Sequence, residues 1–382
     1  MKFSALLLSL IAFTSITLTG GCGVDDNAVF EPCDGDYVVD ADSASAMSAI
    51  EGCSLITGDL YIIDNASLTS VDELSNLTSV GGDLYITDNA ALTNVDGMSS
   101  LISVGGDLYI SENEALTNID GLSSLTSVGG DLEIYDNDAL TNIDGLSSLI
   151  TVGSDLKISY NDSLTNVDGL SSFTTVGGGL YISYNAALTN IDGLSSITIV
   201  YYLDITDNGL LINVDGLSSV ATVGGGGLLI FDNNSLTNVD GLSSLTTVGG
   251  LYIKYNPALT NVDGLSSLAT VDYLSIRYNA ALMNVDGLSN VTSVDYMDIT
   301  DNASLTNVDG LSSLTTVGEG DLIIVANAAL TNVDGMSSLA TVGGDLEITD
   351  NAALCQDSVD DIVAGCVVDG EVTANDNNGA CP

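Results

Sequence analysis

The hydrophobic positions of this chain recur in short steps that do not follow a helical face. In residues 91–113, ALTNVDGMSSLISVGGDLYISEN, the gaps between apolar residues are three, then four, then two. The apolar residues of this stretch are Leu92, Val95, Met98, Leu101, Val104, Leu108 and Ile110. These gaps do not fit a 3.6-residue helical period, and the final alternation is typical of a strand. The pattern predicts short extended segments joined by corners at Asp96-Gly97 and Gly105-Gly106.

The same pattern returns along the chain, and an asparagine marks each copy. This asparagine recurs every 23, 24 or 25 residues, as Asn65, Asn89, Asn113, Asn137, Asn161, Asn185, Asn208, Asn233, Asn256, Asn279, Asn302, Asn327 and Asn351. Such a period is typical of a solenoid. One turn buries too little to fold alone, because about seven side chains at roughly 1.5–3 kcal/mol each oppose about 24 residues at roughly 1–2 kcal/mol of backbone entropy each. We therefore predict stacked turns, each supporting the next.

The spacing within a turn resembles that of a known family. One turn carries V-x-x-x-L-x-I-x-x-N-x-x-L, at Val104, Leu108, Ile110, Asn113 and Leu116. This spacing resembles the receptor L-domain, a leucine-rich-repeat-related fold of insulin- and EGF-receptor ectodomains that also occurs in bacterial repeat lipoproteins. The resemblance covers about residues 33–366. It implies an all-β, right-handed parallel β-helix of about twelve to thirteen turns with short capping helices at both ends.

The N-terminus has the features of an export signal. Lys2 precedes an apolar run, and small residues then lead to Cys22. Residues 1–21 are predicted to be a signal peptide, too short for a spanning helix. The ending resembles a bacterial lipobox, with Thr19 where leucine is usual. We expect lipidation of Cys22 and, since Gly23 is not aspartate, an outer-membrane lipoprotein at the cell surface; plain secretion is the alternative.

The predicted segments divide the rest of the chain. They are a lipid-anchored linker at 22–32, an N-terminal cap of strand and helix at 33–57, solenoid repeats at 58–354, a C-terminal cap helix at 355–366 and a C-terminal tail at 367–382.

The cysteines fit this arrangement. The segment from Cys33 to Cys53 resembles the N-terminal cap of the family, and export favours disulfides. We expect one bond between Cys33 and Cys53 and another between Cys355 and Cys366, each holding a cap helix. Cys381 is then left over, although it can pair with Cys22 if that residue carries no lipid.

Charge excludes several classes of partner. The chain has 4 Lys+Arg against 52 Asp+Glu and a formal net charge of −48. Nucleic acid gains no counterion-release energy from such a protein, and anionic membrane surfaces repel it. Membrane contact is therefore predicted through the N-terminal lipid only. Disorder is not expected, because 45% of the residues are hydrophobic.

An aspartate column raises the question of metal binding. It comprises Asp72, Asp96, Asp120, Asp144, Asp168, Asp192, Asp215, Asp240, Asp263, Asp286, Asp309 and Asp334. The simpler interpretation is that each carboxylate accepts backbone N–H groups at its corner. The alternative is Ca²⁺ bridging between turns, since carboxylates bind Ca²⁺. We predict no dedicated metal site and no required cofactor, with Ca²⁺ along this column as the open possibility.

A second departure from the repeat suggests a ligand site. The corner GGDL gives way to VYYL, VDYL and VDYM at 200–203, 271–274 and 294–297, and two basic residues stand in one column nearby. The candidate ligand-binding residues are Tyr252, Lys254, Tyr255, Tyr273, Arg277 and Tyr278. Tyrosine is common in strands, so cross-strand stacking alone is the simpler interpretation. The alternative is that the rings stack on a sugar or anchor a protein.

These observations favour a non-catalytic binding or adhesion module for a surface glycan or protein. The alternatives are a structural envelope rod and, less favoured, a β-helix polysaccharide lyase or hydrolase. There is no histidine, and nearly every aspartate belongs to a repeating column, so no distinct carboxylate pair stands out. We expect no catalytic residue.

Overall fold

The computed structural model describes residues 32–41 and 44–381. The predicted signal peptide, Cys22 and nearly all of the predicted linker lie outside these residues. The described residues form a solenoid of parallel strands with short 3-10 turns and little helix. No helix among them is long and apolar enough to cross a bilayer.

One long parallel sheet runs through all turns, and each strand pairs with the strand of the next turn. Its fifteen strands are Tyr37–Val39, Leu60–Ile63, Leu84–Thr87, Leu108–Ser111, Leu132–Tyr135, Leu156–Ser159, Gly179–Ser183, Ile199–Thr206, Thr222–Phe231, Thr247–Lys254, Thr270–Arg277, Tyr296–Thr300, Leu322–Val325, Leu346–Thr349 and Val372–Thr373. The predicted alternation of Leu108, Tyr109 and Ile110 is confirmed, since only the tyrosine lies on the outer face.

Two further sheets consist of two-residue strands. The first has seven strands, Pro32–Cys33, Leu55–Ile56, Ser79–Val80, Ser103–Val104, Ser127–Val128, Thr151–Val152 and Thr175–Val176. The second has four, Ser293–Val294, Thr316–Val317, Thr341–Val342 and Val367–Val368. Between these sheets, from Ile199 to Arg277, the short and long strands of a turn merge into single strands of eight to ten residues.

The predicted Asp-Gly corners are 3-10 turns. In the described part of the chain they are Asp72–Leu74, Asp96–Met98, Asp120–Leu122, Asp144–Leu146, Asp168–Leu170, Asp192–Leu194, Asp215–Leu217, Asp240–Leu242, Asp263–Leu265, Asp286–Leu288, Asp309–Leu311 and Asp334–Met336. The glycine is needed because turns approach closely here: a Cβ on Gly97 would lie 2.0 Å from the carbonyl oxygen of Val71. The first corner has no earlier 3-10 turn beneath it and carries Glu73 in place of glycine.

The core fills the interior of the solenoid as one continuous column. The seven apolar residues predicted for the turn at 91–113 are all at most 1% exposed. Because every turn repeats the same inward positions, each layer of side chains packs on the next, and this packing supplies the burial that a single turn lacks.

Helices cover both ends. Ala44–Ile50 lies at the N-terminal end and Gln356–Gly365 at the C-terminal end. Cys33 is bonded to Cys53, as expected from the sequence, with the two Cα atoms 5.7 Å apart.

The second expected disulfide is wrong. Cys355 is bonded to Cys381, with Cα atoms 4.9 Å apart, and Cys366 is a free thiol. The reason is geometric: Cys355 and Cys366 stand at opposite ends of the ten-residue C-terminal helix, which at about 1.5 Å per residue separates them by roughly 15 Å. A disulfide tolerates a Cα separation of at most about 7 Å.

Residues 367–381, which lie in the predicted C-terminal tail, complete another turn. Val367–Val368 and Val372–Thr373 pair with strands of the preceding turn. Asn377 extends the asparagine column, because its Nδ2 donates to the carbonyl of Ile348 at 2.8 Å. Asn377 follows Asn351 by 26 residues, an interval outside the 23–25 used to trace the repeat.

Candidate ligand-binding surface

From Asn89 to Asn377 the asparagine column is a continuous hydrogen-bonded ladder in the interior. Asn185, which is fully buried, donates through Nδ2 to the carbonyls of Ile158 at 2.9 Å and Ser183 at 3.1 Å. Its Oδ1 accepts the backbone N–H of Asn161 at 3.2 Å. The amides thereby satisfy backbone groups at a corner that water does not reach. The asparagine column therefore stabilises the fold itself.

The aspartate column does not cap its corners as expected. At every corner from Asp96 to Asp334 the N–H is bonded instead by an asparagine two residues earlier: Asn166 Oδ1 accepts the N–H of Asp168 at 3.0 Å. The amide closes the turn on itself, which leaves the carboxylate exposed to solvent. At the C-terminal end, Ser358 donates to the Asp334 carboxylate at 2.6 Å.

The exposed aspartates of neighbouring turns repel one another. The limited desolvation of the Asp168 carboxylate, and then the charges of Asp192 and Asp144, raise the pKa of Asp168. Within the described residues, the one set of three candidate metal ligands within 4.8 Å of one another is Cys355, Asp357 and Cys381, and both cysteines are already in the disulfide. The spacing of the described carboxylates therefore gives no support to Ca²⁺ bridging along this column.

A third column, called the outer column below, follows the C-terminal ends of the strands of the long sheet. It consists of the residue before each ladder asparagine. Every non-glycine residue with positive φ in the described chain belongs to it: Asp64, Asp88, Glu112, Asp136, Tyr160, Tyr184, Asp207, Asp232, Tyr255, Tyr278, Asp301, Ala326, Asp350 and Asp376. Aspartate tolerates this left-handed conformation, whereas it is unusual for an aromatic residue. Four tyrosines nevertheless occupy it, as two pairs on successive turns. Such outliers cluster at functional sites.

The predicted patch centres on one of these pairs. The rings of Tyr255 and Tyr278 stack with centroids 4.5 Å apart and planes 11° apart. The ring of Phe231 meets Tyr255 edge-on at 5.1 Å. Tyr255 remains 40% exposed, so the stack presents aromatic surface to solvent.

Two basic side chains stand beside this stack on adjacent strands. Lys254 and Arg277 are paired directly in register. The Arg277 guanidinium carbon lies 5.3 Å from the centroid of Tyr278, and Lys254 Nζ lies 5.1 Å from that of Tyr252. Both distances are within cation–π range.

Arg277 is held by a buried carboxylate that the sequence analysis missed. Its Nη1 lies 3.1 Å from Asp298 Oδ2, and Asp298 is 3% exposed. Asp298 also accepts hydrogen bonds from Tyr296 at 3.4 Å and from Thr300. The sequence did contain an indication. Four residues before the ladder asparagine, where several turns have tyrosine, the turn with VDYM has Asp298.

Lys254, in contrast, has no ion pair within 4.0 Å in the described residues. Partial burial, and then the charge of Arg277, lowers its pKa. On the adjacent strand, two buried polar atoms also lack a hydrogen-bond partner in the described structure, Ser275 Oγ and Arg277 Nε. The patch therefore has hydrogen-bond donors that no protein group accepts from. A sheet face that only stabilises the fold does not require such donors.

The other two predicted residues contribute differently. The ring of Tyr252 lies across Gly250, where a Cβ would be 2.7 Å from a ring carbon, so glycine leaves room for this ring. Tyr273 lies towards the start of its strand, opposite Gly250 in the ladder, and its ring centroid is 6.5 Å from that of Tyr296. Five of the six predicted residues thus form one cluster around Lys254, and Tyr273 forms the margin of the patch.

The chain has only distant similarity to known proteins. No family model and no curated protein matches the chain. An internalin from Listeria monocytogenes is 16% identical over 87% of this chain and 89% of its own, with a TM-score of 0.37. The Toll–Spatzle complex of Drosophila is 16% identical over 88% of this chain and 52% of its own, with a TM-score of 0.35. A leucine-rich-repeat protein of Leptospira interrogans is 14% identical over 88% of this chain and 99% of its own, with a TM-score of 0.27. With TM-scores below 0.5, these similarities carry no argument about fold, ligand or mechanism.

Proposed function

We propose that this protein is a non-catalytic binding or adhesion module displayed at the cell surface. Its ligand site would be the patch of Tyr252, Lys254, Tyr255, Tyr273, Arg277 and Tyr278. The observation that carries the proposal is Lys254, a half-buried cation that has no carboxylate partner among residues 32–41 and 44–381 and lies beside an exposed tyrosine stack. A partly buried cation that lowers folding stability and has a ring contact but no carboxylate partner among the described residues is typical of a binding site.

The chemistry of the patch favours a glycan over the other ligands considered. A sugar ring can pack on the exposed face of Tyr255, as aromatic side chains offer large apolar area with few rotatable bonds. The Lys254 ammonium would donate to a hydroxyl or carboxylate oxygen of the same ligand. A protein ligand anchored by the same rings is the second outcome that the test below separates.

Display at the surface is supported by two features. The disulfides fit an oxidising compartment outside the cytoplasm. The lipobox-like ending at Cys22 supports an outer-membrane lipoprotein, with secretion as the alternative. The proposal includes two further points that rest on the resemblance to the receptor L-domain. The solenoid would be right-handed, and the protein would be a receptor L-domain-like repeat lipoprotein.

The test is binding of the purified protein to an array of envelope glycans and to whole cells. The site variant is Tyr255→Asn with Tyr278→Asn, since asparagine tolerates the left-handed backbone at these positions. The matched control is Tyr160→Asn with Tyr184→Asn, which removes the equivalent stack elsewhere. We expect saturable binding to one glycan class, weakened about tenfold or more in the site variant and in Lys254→Met, as for loss of a hot spot.

Each other outcome has a defined meaning. Binding to cells but not to glycans would redirect the proposal to a protein ligand. Equal binding by the site variant and the wild type would refute the patch. If the wild-type protein binds neither the array nor whole cells, the result would favour the structural rod. Cleavage of array glycans would favour the lyase or hydrolase.

A further inference from the structure

The second tyrosine pair of the outer column forms a separate ledge. The rings of Tyr160 and Tyr184 stack with centroids 4.6 Å apart and planes 2° apart, and they are 50% and 40% exposed. They line a groove of about 410 Å³ together with Asp162, Ala186, Asp207, Gly209 and Leu210. The groove thus combines an aromatic wall with carboxylates.

The chain itself shows what such a surface attracts. Each of its three described basic residues lies over a tyrosine ring: Lys254 over Tyr252, Arg277 over Tyr278, and Lys157 over Tyr181 at 5.8 Å. Arg277 and Lys157 also contact carboxylates, with Lys157 Nζ 2.8 Å from Glu133. A tyrosine face with a carboxylate nearby is therefore a recurrent cation site in this fold.

The ledge has the rings and the carboxylates of such a site, but none of the three described basic residues occupies it. At Tyr255 and Tyr278 the preceding residues are Lys254 and Arg277. At Tyr160 and Tyr184 the preceding residues are Ser159 and Ser183.

The basic residue nearest in sequence cannot fill the gap. Lys157 is held by Asp131, Glu133 and Asp155, and its ring contact is with Tyr181.

We propose that the ledge of Tyr160 and Tyr184, with Asp162 and Asp207, binds an arginine side chain of a basic partner polypeptide. The planar guanidinium stacks on the ring faces and forms paired hydrogen bonds to a carboxylate, which an ammonium does less well. The net charge of −48 draws such a partner towards the surface. The arginine of a second copy is unsuitable, because Arg277 is already committed to Asp298 and Tyr278.

The probe is an acetylated, amidated Gly-Arg-Gly-Gly peptide, compared with the same peptide carrying lysine or citrulline. Binding to the full-length protein is measured at 0.15 M salt, where unspecific attraction between exposed charges is screened beyond about 8 Å. The site variant is Tyr160→Asn with Tyr184→Asn, which leaves the net charge unchanged. The matched control is Tyr255→Asn with Tyr278→Asn. Thermal melting confirms that both variants fold.

We expect the arginine peptide to bind more tightly than the lysine and citrulline peptides, and to lose about tenfold affinity in the site variant. The control variant should bind it as the wild type does, even though the same control loses the glycan. Asp162→Asn with Asp207→Asn should also weaken the arginine peptide. Equal affinity of the arginine and lysine peptides, unaltered affinity in the site variant, equal loss in both tyrosine variants, or no binding to the wild type would each overturn the proposal.

The two proposals fail separately. Loss of glycan binding tests Tyr255 and Tyr278, whereas loss of the arginine peptide tests Tyr160 and Tyr184. A result against one pair leaves the other result interpretable, because each variant serves as the control of the other.

Discussion

Lys254 and Arg277 occupy the same position on adjacent strands of the long sheet, paired directly in register, yet their environments differ. Arg277 reaches Asp298 at 3.1 Å, whereas Lys254 has no carboxylate within ion-pair distance in the described residues. Two like charges on neighbouring rungs are unfavourable. A sequence selected for stability alone would avoid this arrangement.

Replacing this lysine should stabilise the fold. Burial and the charge of Arg277 lower the pKa of Lys254, so the folded state disfavours the ammonium that the unfolded chain carries. We expect Lys254→Met to raise the free energy of unfolding at pH 7 by roughly a few tenths of a kcal/mol, a small value because the group is partly solvated, and so to raise the melting temperature. The sign follows from linkage: the cost is present below the lowered pKa and disappears as pH approaches the unfolded value of about 10.4. A lower melting temperature at pH 7 would contradict this account.

Tyrosine ionisation should unfold the protein in alkali. Burial, together with the nearby charges of aspartates, raises the pKa of Tyr85, Tyr202 and Tyr296 to about 12. The folded state therefore holds phenolic protons that the unfolded chain releases near pH 10. Stability is complete below pH 10 and falls as pH rises through about 12. Absorbance and circular dichroism should change together in this window; tyrosines that ionise near pH 10 in an intact fold would refute the prediction.

Because the aspartates of the column repel one another, the protein should be more stable in mild acid or at high salt than at pH 7 and low salt. Burial and neighbouring aspartates raise the pKa values of Asp168 and Asp286. Protonation removes repulsion in the folded state, so stability should rise as pH falls from 7 towards the unfolded value of about 3.9. Salt at 1 M, with a screening length of about 3 Å, should raise the melting temperature at pH 7 in the same direction. Asp168→Asn should reduce both effects; a melting temperature that falls with added salt would argue against repulsion.

Interrupting the asparagine ladder should be costly. Asn185→Ala leaves the carbonyl of Ile158 and the N–H of Asn161 without their side-chain partner, and we expect a loss of about 3 kcal/mol in free energy of unfolding. The control is Asn190→Ala, which removes one hydrogen bond, to the N–H of Asp192, at a cost of about 1 kcal/mol. Denaturant unfolding measures both. Equal losses in the two variants would mean that burial does not amplify the effect.

The disulfide pattern can be read directly. Peptide mapping without reduction should find Cys355 linked to Cys381, and Cys366 open to alkylation in the folded protein. Cys381→Ser should reduce stability by about 3 kcal/mol, since it opens a loop of moderate length, whereas Cys366→Ser should change little. A peptide joining Cys355 to Cys366 would contradict the structure.

The sequence by itself determined the architecture of this protein. A period of 23–25 residues forces each turn onto the next, so the inward positions such as Leu108 and Ile110 and the ladder asparagines could be read directly. The identity of the exposed tyrosine and basic columns followed from the same register. These features depend on a repeated local pattern, and repetition makes neighbours in space predictable from neighbours in sequence.

The tertiary structure decided whatever depended on distance across turns. Only folded geometry separates Cys355 from Cys366 by a helix and brings Cys381 beside Cys355. It also assigns the corner N–H groups to asparagines such as Asn166, which frees the aspartates, and places Asp298 against Arg277 but not against Lys254. Each outcome depends on a separation of a few ångströms between side chains of different turns, and the residue types alone do not specify that separation.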